Sequence, residues 1–216
     1  MGINLGSGFE NFGNANNGNN NAQAGNAPMG VSLNLQKNDI LDLTKRNPGL
    51  TAVKLGAGWD VSNNGQDFDL DIAAFLLDSN NKFNTVSNVI FFNNKNGQGI
   101  SLRGDNRTGA GDGDDEIIDI NLSQISLEIM KIVFVVTISN AMQKRQTFGM
   151  VNNSYVRLLD AANGDKEVCK FNLREDSSTA TSVIFAELVR DGGEWQFKAI
   201  GDGKIADLNG VLALYQ

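Results

Sequence analysis

The chain has 216 residues, 41% of them hydrophobic, which fits one large domain or two small ones with a substantial core. Its formal charge of −7, from 25 acidic and 18 basic side chains, excludes the basic face that nucleic-acid binding requires and suits a protein that attracts cations. It has no histidine, and Cys169 is its only cysteine, which excludes Ser-His-Asp triads, histidine-held zinc, intrachain disulfides and thiolate metal clusters.

Residues 1–28 are dominated by Gly and Asn, with Glu10 as the only charge. Such a segment cannot bury enough apolar surface to offset its ordering entropy, so the expectation is a disordered extension ahead of a domain at 29–216. It has neither the basic nor the apolar region of a secretory signal, and Gly6 stands where a myristoylation motif wants Ser or Thr. No apolar run approaches the roughly 18 residues of a membrane span. A cytoplasmic protein is the expectation.

From Val31 the pattern becomes short strands. Val31, Leu33 and Leu35 alternate with Ser32 and Asn34, the period of a half-buried strand. Ile72–Leu77 and Ile132–Ile138 are apolar runs, as expected of strands buried on both faces. The stretch Leu122–Lys131 reads as a short helix. Asn163-Gly164 separates Tyr155–Leu159 from Val168–Leu173 and predicts a hairpin whose turn residues both tolerate positive φ. Asp191-Gly192-Gly193 predicts a second hairpin, in which Trp195, Phe197 and Ala199 alternate with polar residues. The tail from Ile205 reads as helical. Many short strands with glycine-rich turns point to an all-β, two-sheet sandwich with a few short helices.

The chemistry-bearing stretch is Gly104–Glu116. Five of the twelve residues from Asp105 to Glu116 are acidic (Asp105, Asp112, Asp114, Asp115 and Glu116), and Gly109, Gly111 and Gly113 let the backbone turn tightly. Carboxylates this dense repel one another unless a cation lies among them. With only oxygen donors to offer, including the amide of Asn106, the loop suits calcium, magnesium or manganese. It is not an EF-hand: with Asp105 as the first position, Arg107, Gly109 and Ala110 stand where two ligands and the required glycine belong. A nine-residue calcium-roll pattern fits only once, and such sites form between stacked copies.

The loop therefore needs a partner, and Asp67-Phe-Asp69-Leu-Asp71 is the candidate. If extended, its aspartates share one face about 6–7 Å apart, opposite Phe68, Leu70 and Ile72. At an effective dielectric near 20 each adjacent pair repels by ~2.5 kcal/mol. A metal relieves that cost; the alternative is a solvated acidic edge that discourages strand pairing. Asn93, after Phe91-Phe92, offers a further amide oxygen at a polar turn.

These stretches closely resemble the TerD family of tellurium-resistance and stress proteins. The resemblance is carried by Gly56-Ala-Gly-Trp-Asp60, Asp69-Leu-Asp71, Ile90-Phe-Phe-Asn-Asn-Lys95, Gly104 to Glu116, Phe134 to Ile138, Gln146-Thr-Phe-Gly-Met150, and Ala186-Glu-Leu188 leading to Glu194-Trp-Gln-Phe-Lys198. It covers the chain from about residue 29 to 203, and Met29-Gly-Val-Ser-Leu33 matches the usual family start. It implies a β-sandwich holding calcium, commonly two ions, in loops at one end. It further implies a non-enzymatic role in tolerance of tellurite and other toxic agents, with other stress-response proteins or the inner membrane surface as partners. The candidate ligands are Asp69, Asp71, Asn93, Asp105, Asn106, Asp112, Asp114, Asp115 and Glu116. Two other functions stay open: a metal-dependent phosphotransferase, for which Arg103 and Arg107 are the only bases near the loop, and a calcium-dependent cyclic-nucleotide-binding protein.

Overall fold

A computed structural model describes residues 33–216 apart from 46, 62–66, 105–107, 109–112 and 174–176. The expected disordered extension at 1–28 lies outside the described residues. The strands are β1 (Leu33–Asn34), β2 (Ile40–Asp42), β3 (Ala52–Gly58), β4 (Leu70–Leu77), β5 (Val89–Ile90), β6 (Asn96–Gly97), β7 (Ile100–Leu102), β8 (Glu116–Asn121), β9 (Lys131–Ile138), β10 (Tyr155–Asp160), β11 (Lys166–Asn172), β12 (Ser182–Asp191) and β13 (Glu194–Lys204). Two short α-helices, α1 (Ala141–Lys144) and α2 (Leu208–Leu212), follow β9 and β13. Among the described residues one sheet runs β1-β11-β10-β3-β8-β7-β6 and the other β2-β13-β12-β9-β4-β5. The expected two-sheet sandwich is therefore the fold.

Alternation decides which side chains enter the space between the sheets. In β8, Ile118 and Ile120 point inward while Ile117 and Asp119 are half-buried outside. In β13, Trp195, Phe197 and Ala199 are buried and their neighbours are not. β4 and β9 are buried at nearly every position because both their faces are covered. Leu70, Ile72, Ala74 and Leu76 join the core between the sheets. Ala73, Phe75 and Leu77 pack under the C-terminal segment, with Val211, Leu212 and Tyr215. An apolar run without alternation is what such two-sided burial requires. At the centre Phe134 and Phe185 stack with centroids 6.0 Å apart.

Two local expectations are corrected. Leu122–Lys131 is not a helix: turns lead into β9, although Leu122, Ile125 and Ile129 are buried at helical spacing. The Arg190 guanidinium takes the place of helix amides, donating to Ile129 O at 3.0 Å, Ser126 O at 3.2 Å and Ile125 O at 3.3 Å. It lies 4.3 Å over the Trp195 ring, which holds it there. The β10–β11 hairpin forms, but its left-handed residues are Gly164 and Asp165, because Ala161–Asn163 make a 3₁₀ turn capped by Asp160. The β12–β13 hairpin turns through Gly192 and Gly193, both at positive φ. No described helix is long and apolar enough to cross a membrane.

Candidate metal centre

At one end of the sandwich the entrances of β4 and β8 meet. β3 and β8 are antiparallel, with Ala57 opposite Glu116, so the exit of β3 lies beside the entrance of β8. The Glu116 side chain is the inward member at the start of β8 and is 1% exposed. Its Oε2 accepts the Ile72 N–H of β4 at 2.6 Å. That bond links the end of the acidic loop, on one sheet, to the entrance of β4 beside Asp69 and Asp71, on the other. Oε1 of Glu116 and Oδ1 of Asp69 are both shut off from solvent.

Asp115 forms the next layer. Its N–H donates to Ala57 O at 2.8 Å, which begins the β3–β8 ladder, and its carboxylate accepts the Trp59 N–H at 2.9 Å. Burial pushes its pKa up; the Trp59 N–H opposes that, and the charges of Asp114 and Asp60 add to it. In the protein without an ion, charge on Asp115 is therefore disfavoured, and a bound cation reverses that preference. Trp59 is buried, with Nε1 donating to Phe68 O at 3.1 Å, so the strand carrying the aspartates is tied to the exit of β3. Asp60 is exposed; its N–H donates to Asn152 O at 3.0 Å and its carboxylate accepts from Asn153.

The remaining candidates are placed less uniformly. Asp71 lies opposite Thr137 of β9, and alternation with Leu70 and Ile72 turns it to the sheet face away from the inter-sheet core. It therefore shares β4 with Ile72, whose N–H donates to Glu116, but not its face. Asn93 is exposed in the turn bridged by Phe91 and Asn94, beyond β5. β5 runs antiparallel to β4, which carries that turn back toward the same end. The Asp114 side chain is 3% exposed and ion-paired to Arg157 Nε at 2.8 Å. Asp105, Asn106 and Asp112 lie outside the described residues. Among the described residues no three Asp, Glu or Cys side chains converge closely enough to hold an ion by themselves.

Sequence reasoning missed Arg157 and Tyr155, which reach Asp114 from β10. The available signal was Gly56 and Gly58 on the outward face of β3, since small residues opposite large ones mark a close approach. Cys169 is buried, as expected, and burial drives its thiol pKa up to about 12. Arg103 donates to Asp119 on β8.

The donor set fits a hard cation: oxygen donors throughout, among them a buried oxygen on Glu116 and one on half-buried Asp69, and a neighbouring carboxylate whose charge is disfavoured. Comparison with known proteins agrees with the fold and motifs. The TerD domain model matches residues 30–215. The tellurium resistance protein TerD of Serratia marcescens is 45% identical over 188 residues, covering 86% of this chain and 97% of that protein. General stress protein 16U of Bacillus subtilis is 44% identical, covering 80% of this chain and 91% of its own length. A crystal structure of a Streptomyces coelicolor homologue of telluride resistance protein (TerD) superposes with a TM-score of 0.63 at 24% identity, covering 76% of this chain and 96% of that one. The chain belongs to the TerD domain family.

Proposed function

We propose that this protein is a non-enzymatic, calcium-binding stress-response protein, acting in resistance to tellurite and other toxic agents. The observation that carries the reading is the Glu116–Ile72 bond, which joins the acidic loop to the Asp69–Asp71 strand entrance around buried carboxylate oxygens. The ion would be held by Asp69, Asp115 and Glu116 with Asp105, Asn106 and Asp112 of the loop. Asp71 would have to reach it from the other face of β4, and Asn93 from its exposed turn. A hard divalent ion takes six to eight oxygens and offsets the repulsion among them. The protein's own part is to order its loops around that charge.

What those ordered loops would frame is a contact surface. Val61, Met142 and Met150 are exposed apolar side chains in segments tied to this end. Val61 follows Asp60, Asn152 follows Met150 by two residues and accepts the Asp60 N–H, and Gln146, just after α1, donates to Asp67 O at 3.1 Å. Other stress-response proteins or the inner membrane surface would be the partners. The relatives named as tellurium resistance and general stress proteins support the biological setting. A phosphotransferase needs substrate-clamping bases; among the described residues Arg103 is engaged by Asp119 and Arg157 by Asp114, and Arg107 lies outside the described residues.

Isothermal titration of the metal-stripped protein with calcium chloride tests the reading. Saturable binding that the Asp69→Asn/Asp71→Asn double variant abolishes is expected. No binding heat at any accessible concentration refutes calcium binding, and full binding by the double variant refutes the pairing of the two segments.

A further inference from the structure

On the outward face of the seven-stranded sheet, β3 presents Gly56 and Gly58 where its neighbours present large side chains. A Cβ on Gly56 would lie 2.1 Å from Asp114 Oδ2, and one on Gly58 would lie 2.6 Å from the Tyr155 phenol. The two glycines thus open a trench across β3, and the Asp114 carboxylate and the Tyr155 ring lie in it. The register explains the match, since Tyr155 faces Gly58 and Arg157 faces Gly56. Alternation with buried Val156 and Leu158 turns both β10 side chains outward.

Within the trench the loop exit is held from several directions. Arg157 Nε donates to Asp114 Oδ1 at 2.8 Å, and its Nη1 donates to Glu167 Oε2 on β11 at 3.2 Å. The Tyr155 hydroxyl lies 2.9 Å from Gly113 O and 3.1 Å from Asp114 Oδ1, so its single O–H is shared between the two acceptors. Lys170 Nζ sits 3.8 Å over the Tyr155 ring and fixes its plane. The residues after Asp114 are Asp115, whose carboxylate accepts the Trp59 N–H, and Glu116, whose carboxylate is turned inward to the Ile72 N–H.

We propose that Arg157 and Tyr155 are positioning residues for the metal centre: they spend Asp114 on a latch that sets Asp115 and Glu116 in place before an ion arrives. This rests on the calcium reading above and assigns Asp114 to the protein scaffold instead of the ion. A guanidinium and a divalent ion compete for one carboxylate. If Asp114 were a ligand, Arg157 would be a rival cation, and removing it would strengthen calcium binding. As a latch, removing it weakens calcium binding. The two roles differ in sign.

The test is calcium affinity by titration calorimetry together with amide hydrogen exchange at Asp115 and Glu116 in the metal-free protein. Arg157→Met is expected to weaken calcium binding by about 10–100-fold, the range for residues that orient metal ligands, and to speed exchange at both amides. Tyr155→Phe, which loses one hydroxyl, should move both readouts in the same direction by less; it carries the test if Arg157→Met does not fold. Arg157→Lys should recover part of the affinity. Lys54→Met removes an equal charge from the same face, where Lys54 pairs with Asp165, and should not weaken binding. Unchanged or tighter binding by Arg157→Met overturns the proposal. If the unaltered protein binds no calcium, the calcium reading falls and the proposal with it, a result distinct from a wrong-signed variant.

Discussion

Asp115 holds its carboxylate against the Trp59 N–H, half-buried, with Asp114 and Asp60 as negative neighbours. On the calcium reading proposed above, its charge is a cost without an ion, and with one the carboxylate is a ligand. Asp115→Asn keeps an acceptor for Trp59 and removes the charge, so the metal-free variant should melt no lower than the parent at neutral pH. Its gain from calcium should shrink, and melting in chelator and in calcium reads both. Cys169 gives a prediction in the opposite setting. Its folded pKa of about 12 lies above the ordinary thiol value of 9.0, so the unfolded chain loses the proton first. Its contribution to stability is whole below about pH 9 and is lost as pH rises toward 12. Native protein at pH 8 should resist thiol reagents until denaturant unfolds it; prompt labelling would contradict that burial. The acidic stretches were legible as candidates because carboxylates this dense repel one another. Arg157 was not, because nothing in the order of residues says that β10 lies beside β3.

At the scale of elements, a one-atom test exists in β3. Gly56→Ala places a Cβ in the Asp114 carboxylate, an overpacking expected to cost about 1–3 kcal/mol in denaturant unfolding. In an Asp114→Ala background the same change should cost clearly less, because the clash partner is gone; a double-mutant cycle with no coupling would place Asp114 elsewhere. Glu116→Ala removes the acceptor of a buried N–H on β4, with an expected loss of about 1–3 kcal/mol before any cavity cost. The strands and both hairpins were readable from period-two alternation and paired turn residues. The segment 122–130 misled because Leu122, Ile125 and Ile129 repeat at helical spacing, while a distant arginine serves its carbonyls. Burial spacing reports which side faces the core, and here it was silent on where the backbone hydrogen bonds go.

At the scale of the molecule, the two sheets are joined by apolar packing through the middle and by Glu116 at one end. The fold could be read from the sequence because alternation, turns and family motifs agreed. The loop's own geometry could not, since the stretch around Asp105, Asn106 and Asp112 carries neither period-two alternation nor a paired turn signal. An ion that binds only the folded chain stabilises it by about 2.7 kcal/mol at a hundred times its Kd, worth about 5–10 °C in a chain of this size. The most direct measurement is therefore the melting temperature of metal-stripped protein alone, with calcium, and with magnesium. The account predicts an increase of that order with saturating calcium and a much smaller one with magnesium. Identical melting in chelator and in calcium would contradict it.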